Sequence, residues 1–166
     1  MEVPSSAYLS NGQFPGPTIE CKTNDNVIVN VVNKLDEPFL ITWNGVKQRK
    51  TSWQDGVLEQ TVQSHQVTVD LSYASEKSDW NLSYFASLGM HRAVGAFGGF
   101  NIQARPVIFV PYLKLVAEFT ILVSDWWKSD HKTLRQRLDS GKTLPKPAGL
   151  LINGSPCATS SLVKQV

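Results

Sequence analysis

Alternation of apolar and polar positions is clearest in NVIVNVVN, residues 26–33. Val27, Val29 and Val31 fall on one face of an extended chain, with Ile28, Asn30 and Val32 on the other. One face is wholly apolar and the other mixed, which predicts a sandwich strand with a single inward face. After the turn KLDEP, FLITW (39–43) reads as the next strand. RPVIFVPY (105–112) and EFTILVSDWW (118–127) are two further predicted strands, and Pro106 and Pro111 put the first at an edge or a strand end. NGQFPGPTIECKTNDN (11–26) is rich in Gly, Pro, Asn and Asp, and reads as turns rather than as a propagating element.

The period changes once. In SDHKTLRQRLDSGK (129–142), Ser129 or Asp130 can cap a helix N-terminus, Leu134 and Leu138 lie four apart, and Gly141 can supply a left-handed end. TLPKPAG is a Pro-rich connector before LLING, and no internal repeat is present. These patterns predict an all-β, Greek-key β-sandwich with one short C-terminal helix.

Composition narrows the possible functions. A chain of 166 residues fits one domain and buries a core without staples. The net charge is only +2, and the one basic run, KQRK at 47–50, reads as a solvated turn, so no nucleic-acid partner is expected. No apolar run is long enough to span a membrane. The start, MEVPSSAYLSNGQ, has neither the basic opening nor the apolar core of a secretory signal. Cys21 and Cys157 have no metal-site spacing, and a bridge between them would need an oxidising compartment and a proximity that sequence does not show.

The three histidines are His65, His91 and His131, with no HxH or HxxxH pair among them. No Ser/His/Asp, Cys/His or paired-carboxylate arrangement and no phosphate-binding Gly loop stands out. A mononuclear blue-copper centre is excluded on ligand count, because neither cysteine has a neighbouring histidine.

Longer motifs carry a resemblance. The stretch from NGQFPGPTIECKTNDN through TWNGVKQRKTSWQDGV resembles the first cupredoxin domain of plant multicopper oxidases, as do LGMHRAVGAFGGFNI, VIFVPY, ILVSDWWKSDHKTLRQRLDSG and GLLINGSP. The similarity is strongest to the ascorbate-oxidase-like branch, the SKU5-similar and pollen-specific ascorbate oxidase homologues, and runs from Asn11 to Pro156 with one gap. It implies a cupredoxin-like fold over residues 1–156 with a disordered tail at 157–166. It further implies a secreted plant glycoprotein that is normally built of three such domains. In catalytic members the first domain supplies His-x-His pairs to a trinuclear copper cluster. Imidazoles at i and i+2 of a strand point to one side and can reach adjacent ions.

On this sequence the first pair falls on Thr42 and Asn44, in Thr42-Trp43-Asn44-Gly45, and the second on Phe85 and Ser87. All four ligand positions are vacated. Hydroxyl and amide groups are poor copper ligands beside imidazole, and Phe offers none. No copper or other cofactor is therefore expected in this chain. His91, just after LGM, is read as a surface or hydrogen-bonding residue rather than a relic metal or proton site. His131 is read as a structural residue in the first helical turn.

Between Val57 and Ser83 the resemblance lapses. With suitable codons, the family peptide Gly-Thr-Asn-Cys-Pro-Ile-Pro-Pro read one base late gives residues 59–66, and Gln-Val-Lys-Asn-Gln-Ile-Gly-Thr-Tyr read from its third base gives residues 75–82. A reading-frame slip over residues 59–83 is thus expected. It replaces a sheet strand with a segment unselected for this fold, at a cost in stability. HQVTVDLSY still alternates, with Val67, Val69 and Leu71 on one face, and ASEKSDWN reads as a loop.

Smaller signals complete the reading. Asn81 and Asn153 begin N-glycosylation sequons. Asp55, in Trp53-Gln54-Asp55-Gly56, is read as bonding local backbone in a turn rather than as a catalytic acid. Asp125-Trp126-Trp127 ends a strand and is read as packing on the following helix, with a carbohydrate platform as the minor option. The functional expectation is a monomeric, non-catalytic, multicopper-oxidase-like domain fragment with extracellular or cell-wall contacts. The alternatives are a degenerate or incomplete gene product without stable function, and an oxygen-using oxidoreductase completed by missing domains.

Overall fold

The computed structural model describes residues 7–46, 48, 52–56, 64–70, 80–105, 117 and 119–156, with the backbone alone described for 64–70, 80 and 81. The described strands are β1 (Gly16–Lys22), β2 (Asn26–Val32), β3 (Ile41–Asn44), β4 (Ser64–Asp70), β5 (Trp80–Ala86), β6 (Phe97–Gln103), β7 (Val123–Trp126), β8 (Gly149–Ile152) and β9 (Ser155–Pro156). One helix, α1 (His131–Asp139), lies between β7 and β8. The strands form a four-stranded sheet of order β1-β6-β5-β3, the pair β2-β4, and the set β7-β8-β9. The described residues are thus all-β apart from one α-helix, as the patterning predicts.

The core sits on the inner face of the four-stranded sheet. Trp43 of β3, Tyr84 of β5, and Phe100 and Ile102 of β6 are buried together, and Val27, Val29 and Val31 of β2 pack against them. That is the inward face read from alternation; the opposite residues Ile28 and Val32 are exposed. Trp43 meets Phe100 edge-on, with ring centroids 5.7 Å apart. An open cleft of about 910 Å³ lies between β2 and this sheet, lined among others by Ile19, Val29, Ile41 and Trp43. A close-packed interior has few such gaps.

β4 pairs antiparallel with β2 in unbroken register, from Asn26 opposite Asp70 to Val32 opposite Ser64. Val67 stands opposite Val29 and Val69 opposite Val27. The segment outside the family pattern therefore does serve as a strand, as its alternation predicts. The expected loop does not extend through Asn81: β5 begins at Trp80, and Trp80, Asn81 and Leu82 pair with Ile102, Asn101 and Phe100.

The turn reading of 11–26 is corrected. β1 occupies Gly16–Lys22 and runs parallel to β6, with Gly16 beside Gly98 and Cys21 beside Ile102. Gly and Pro weaken a strand locally, but edge pairing to a central strand overrides them, and Pro17 at an edge removes no needed donor. Tyr84 explains the glycines. Its ring lies so close to both strands that a methyl group on Gly98 would fall 2.4 Å from its Cζ, and one on Gly16 2.6 Å from its hydroxyl. That hydroxyl donates to the Pro17 carbonyl at 2.8 Å.

The expected strand at 118–127 shortens to Val123–Trp126, and residues 106–112 of the other predicted strand lie outside the described residues. α1 matches its signals. Asp130 is the N-cap, its carboxylate accepting from the Thr133 amide at 2.6 Å, and that bond holds it below the ordinary carboxylate range. Leu134 is fully buried and Gly141 takes a left-handed φ of 72°. Trp126 makes a ring contact with Phe14, edge-on at 5.7 Å, which ties β7 to the N-terminal turn.

Cys21 packs beside the core, where burial and the nearby Asp25 push its thiol up to about 11. Cys157 and the expected tail at 157–166 lie outside the described residues.

Candidate functional site

β3 and β5 bring the four vacated positions to one region of the sheet. Thr42 is directly opposite Phe85, and Asn44 is opposite Ser83. Trp43 and Tyr84 point into the core, so the alternate positions Thr42, Asn44 and Phe85 face the other way. Ser87 follows the strand, its amide bonded to the Leu40 carbonyl at 3.0 Å. A methyl group on Gly56 would lie 2.6 Å from Thr42 Oγ1 and 3.7 Å from Ser87 Oγ, so the SWQDG turn closes over this face.

Asp55 in that turn bonds the Trp43 amide, at 2.9 Å, rather than the local backbone that sequence suggests. Among the described residues β3 is an edge of its sheet, and Asp55 satisfies a donor that no described strand covers. The motif is a strand clasp.

The donor set does not fit copper. It offers two neutral hydroxyls, one amide and one phenyl ring, none of them a competitive ligand. In addition, the Arg92 guanidinium stacks 4.4 Å above the Phe85 ring. This cation–π contact puts a fixed positive charge beside a position where the family resemblance expects a ligand, and there it repels a metal ion.

A second constellation was not legible in the sequence. Glu37, His91 and His131 converge, with one ligand atom from each lying within 4.8 Å of the others. Glu37 Oε1 lies 2.8 Å from His131 Nε2 and 3.6 Å from His91 Nε2. The Tyr8 hydroxyl donates to the same oxygen and lies 3.3 Å from His131 Nε2. Lys132 Nζ is 3.7 Å from the other oxygen, Oε2. His91 and His131 are 2% and 6% exposed, so the surface reading of His91 is corrected. Phe39 stacks on His91, and the two imidazoles meet edge-on at 5.0 Å. His91 Nδ1 is buried without a partner among the described residues. The neutral ring therefore keeps its proton on Nε2, toward Glu37, because a buried N–H without an acceptor is the costlier choice.

Burial lowers the His91 pKa below its ordinary 6.5, against the attraction of Glu37. Burial alone would raise Glu37, but the Tyr8 hydrogen bond, His131 and Lys132 together hold it below its ordinary 4.5. Burial, then the bond to Glu37, pushes the Tyr8 phenol up. Both depressed groups bind protons more readily in the unfolded chain. Stability is therefore present above their unfolded values and is lost as pH falls, first below about 6.5 and again below about 4.5. Urea midpoints measured in EDTA should fall from about pH 7 to about pH 4, with His91→Gln flattening the upper step. A midpoint that rises on acidification through the upper window would contradict this account.

His65 lies in β4, and its side chain is outside the described residues, as is that of Asn81. Asn153 is exposed, but its amide is engaged: Oδ1 accepts from the Leu122 amide at 2.8 Å and Nδ2 donates to the Thr120 carbonyl at 3.1 Å. Among the described residues, no helix is long and apolar enough to cross a membrane.

Comparison with known proteins agrees with this architecture. Sequence models of the multicopper oxidase family match residues 1–107 and 117–165. The chain belongs to the multicopper oxidase family. It is 45% identical over 154 residues to an L-ascorbate oxidase homolog of Nicotiana tabacum, covering 92% of this chain and 28% of that protein. It is 44% identical to the monocopper oxidase-like protein SKU5 of Arabidopsis thaliana, over 92% of this chain and 26% of that one. Identity to the L-ascorbate oxidase of Cucumis sativus is 32%, over 87% of this chain and 25% of that protein. The chain thus spans little more than a quarter of these relatives.

Among solved structures, the multicopper oxidase Fet3p aligns with a TM-score of 0.69 at 21% identity, over 87% of this chain and 28% of that one. The Botrytis aclada laccase aligns at 0.67 and 22% identity, over 93% and 29%. At such identities the likeness establishes the cupredoxin-type fold.

Proposed function

We propose that this chain is a non-catalytic, copper-free domain of a multicopper-oxidase-like protein and acts as a binding module outside the cell. The observation that carries the reading is the donor set. Thr42, Asn44, Phe85 and Ser87 stand where the family resemblance places histidines, and Arg92 caps Phe85. The domain keeps the scaffold of a cluster half-site without its chemistry. Extracellular or cell-wall placement, a role in pollen, glycosylation at Asn81 or Asn153 and a monomeric state belong to the same reading; the plant relatives support the placement. A single domain over residues 1–156 is part of this reading, and among the described residues the Phe14–Trp126 contact and the Asn101–Thr120 hydrogen bond of 2.7 Å support it.

Oxygen uptake tests the reading. The chain, incubated with copper and desalted, is given ascorbate and compared with free copper at the same measured concentration. We expect uptake no faster than the control. Turnover above the control that is lost on changing Thr42 or Ser87 would overturn the proposal.

A second reading, a degenerate product of a frame slip, is favoured by the break in family pattern over residues 59–83. The unbroken seven-residue register of β4 with β2 weighs against it. One cooperative unfolding transition supports the binding module, and its absence the degenerate chain. The transcript separately decides the slip: without the family peptide in another frame over codons 59–82, there was none.

A further inference from the structure

We propose that Glu37, His91 and His131 form a binding site for one divalent ion of the zinc class, independent of the vacated copper positions. Three separated pieces of chain build it. Glu37 comes from the loop between β2 and β3, His91 from the turn after β5, and His131 from the first residue of α1. The donors Glu37 Oε1, His91 Nε2 and His131 Nε2 lie within 4.8 Å of one another, and among the described residues this is the one such group of three.

The spacing suits a small tetrahedral ion. Metal–ligand bonds of about 2.0–2.1 Å place neighbouring ligands roughly 3.3 Å apart. The carboxylate oxygen now lies 2.8 Å from one imidazole nitrogen and 3.6 Å from the other. Shifts of a few tenths of an ångström would bring both carboxylate distances to that spacing, and the third separation, 4.8 Å at most, closes as the two imidazoles turn toward the ion. The chemistry selects the ion, since two imidazoles and one carboxylate suit zinc, whereas magnesium and calcium favour all-oxygen sets. Coordination through His91 Nε2 would move the proton of the neutral ring to Nδ1. The Tyr8 hydroxyl is bonded to the same carboxylate and lies 3.3 Å from His131 Nε2. Lys132 pairs with Oε2 and is exposed, so it can swing clear and leave Oε1 to the ion.

An ion here would staple the loop, the turn and α1 together beside the N-terminal segment that carries Tyr8. It would bind the folded chain alone, because the donors meet only after folding, and so would raise the unfolding temperature.

The test uses the full chain without a histidine tag, stripped with EDTA and desalted. Isothermal titration with zinc chloride at about pH 7.5 should show one saturable site per chain, and zinc should raise the thermal midpoint. Cobalt in place of zinc should give the visible bands of a four-coordinate site. Glu37→Gln and His131→Gln, checked for native near-UV circular dichroism, should weaken binding about tenfold or more, and His65→Gln should not. The wild-type titration decides the matter even if a variant fails to fold. Absence of a saturable site there, or binding unchanged in folded Glu37→Gln and His131→Gln, would overturn the proposal and leave the cluster a hydrogen-bonded strut.

Discussion

Phe100→Ala is expected to remove about 3–5 kcal/mol of stability, the range for deleting a buried aromatic ring. Phe100 is 1% exposed in the central strand β6, which pairs with both β1 and β5, and its ring meets Trp43 edge-on. The surrounding groups are held by two ladders and by the Tyr84–Pro17 hydrogen bond, so the cavity cannot collapse freely. Domains of this size are stable by only about 5–15 kcal/mol, so the variant should sit near its unfolding threshold. Urea denaturation followed by tryptophan fluorescence checks this. At about 1–3 kcal/mol per molar urea, the midpoint should fall by more than about 1 M. An unchanged midpoint would show that β6 is not the centre of the cooperative unit.

Gly98→Ala should cost about 1–3 kcal/mol although it adds one methyl group. The φ of Gly98 is not among the positive values, so alanine is conformationally acceptable and the whole penalty is contact. The new carbon would fall 2.3 Å from the Tyr84 hydroxyl oxygen and 2.4 Å from Cζ. Tyr84 cannot withdraw easily, because it packs against Trp43 and donates to Pro17. A double-mutant cycle isolates this cause. In a Tyr84→Ala background the extra methyl group has room, and Gly98→Ala should become neutral or mildly stabilising, with a coupling of about 1–3 kcal/mol. An equal penalty in both backgrounds would place the constraint in the backbone.

Part of the fold was legible locally. Val27, Val29 and Val31 announced the inward face of β2 because the period of a strand is written into neighbouring residues. The Asp130 cap and Gly141 announced α1 for the same reason. The vacated half-site was legible through the family motifs, since two short segments carry all four positions.

β1 was not legible, because a Gly- and Pro-rich segment became a strand through parallel pairing with β6. Nor was the Glu37–His91–His131 cluster. His131 stood at a predicted helix start and His91 followed a family motif, but no local signal marked Glu37 within KLDEP. Asp55 similarly gave away its turn and not its partner on the edge of β3.

The sequence by itself determined the all-β class and the helix, because each depends on residue type at short spacing, while the family resemblance implied the loss of imidazoles at Thr42, Asn44, Phe85 and Ser87. Only the tertiary structure decided that Arg92 covers Phe85 and that Tyr84 rests on two glycines. It alone set two buried histidines around one carboxylate. Those arrangements join residues far apart in the chain, and chain closure, not local preference, selects them.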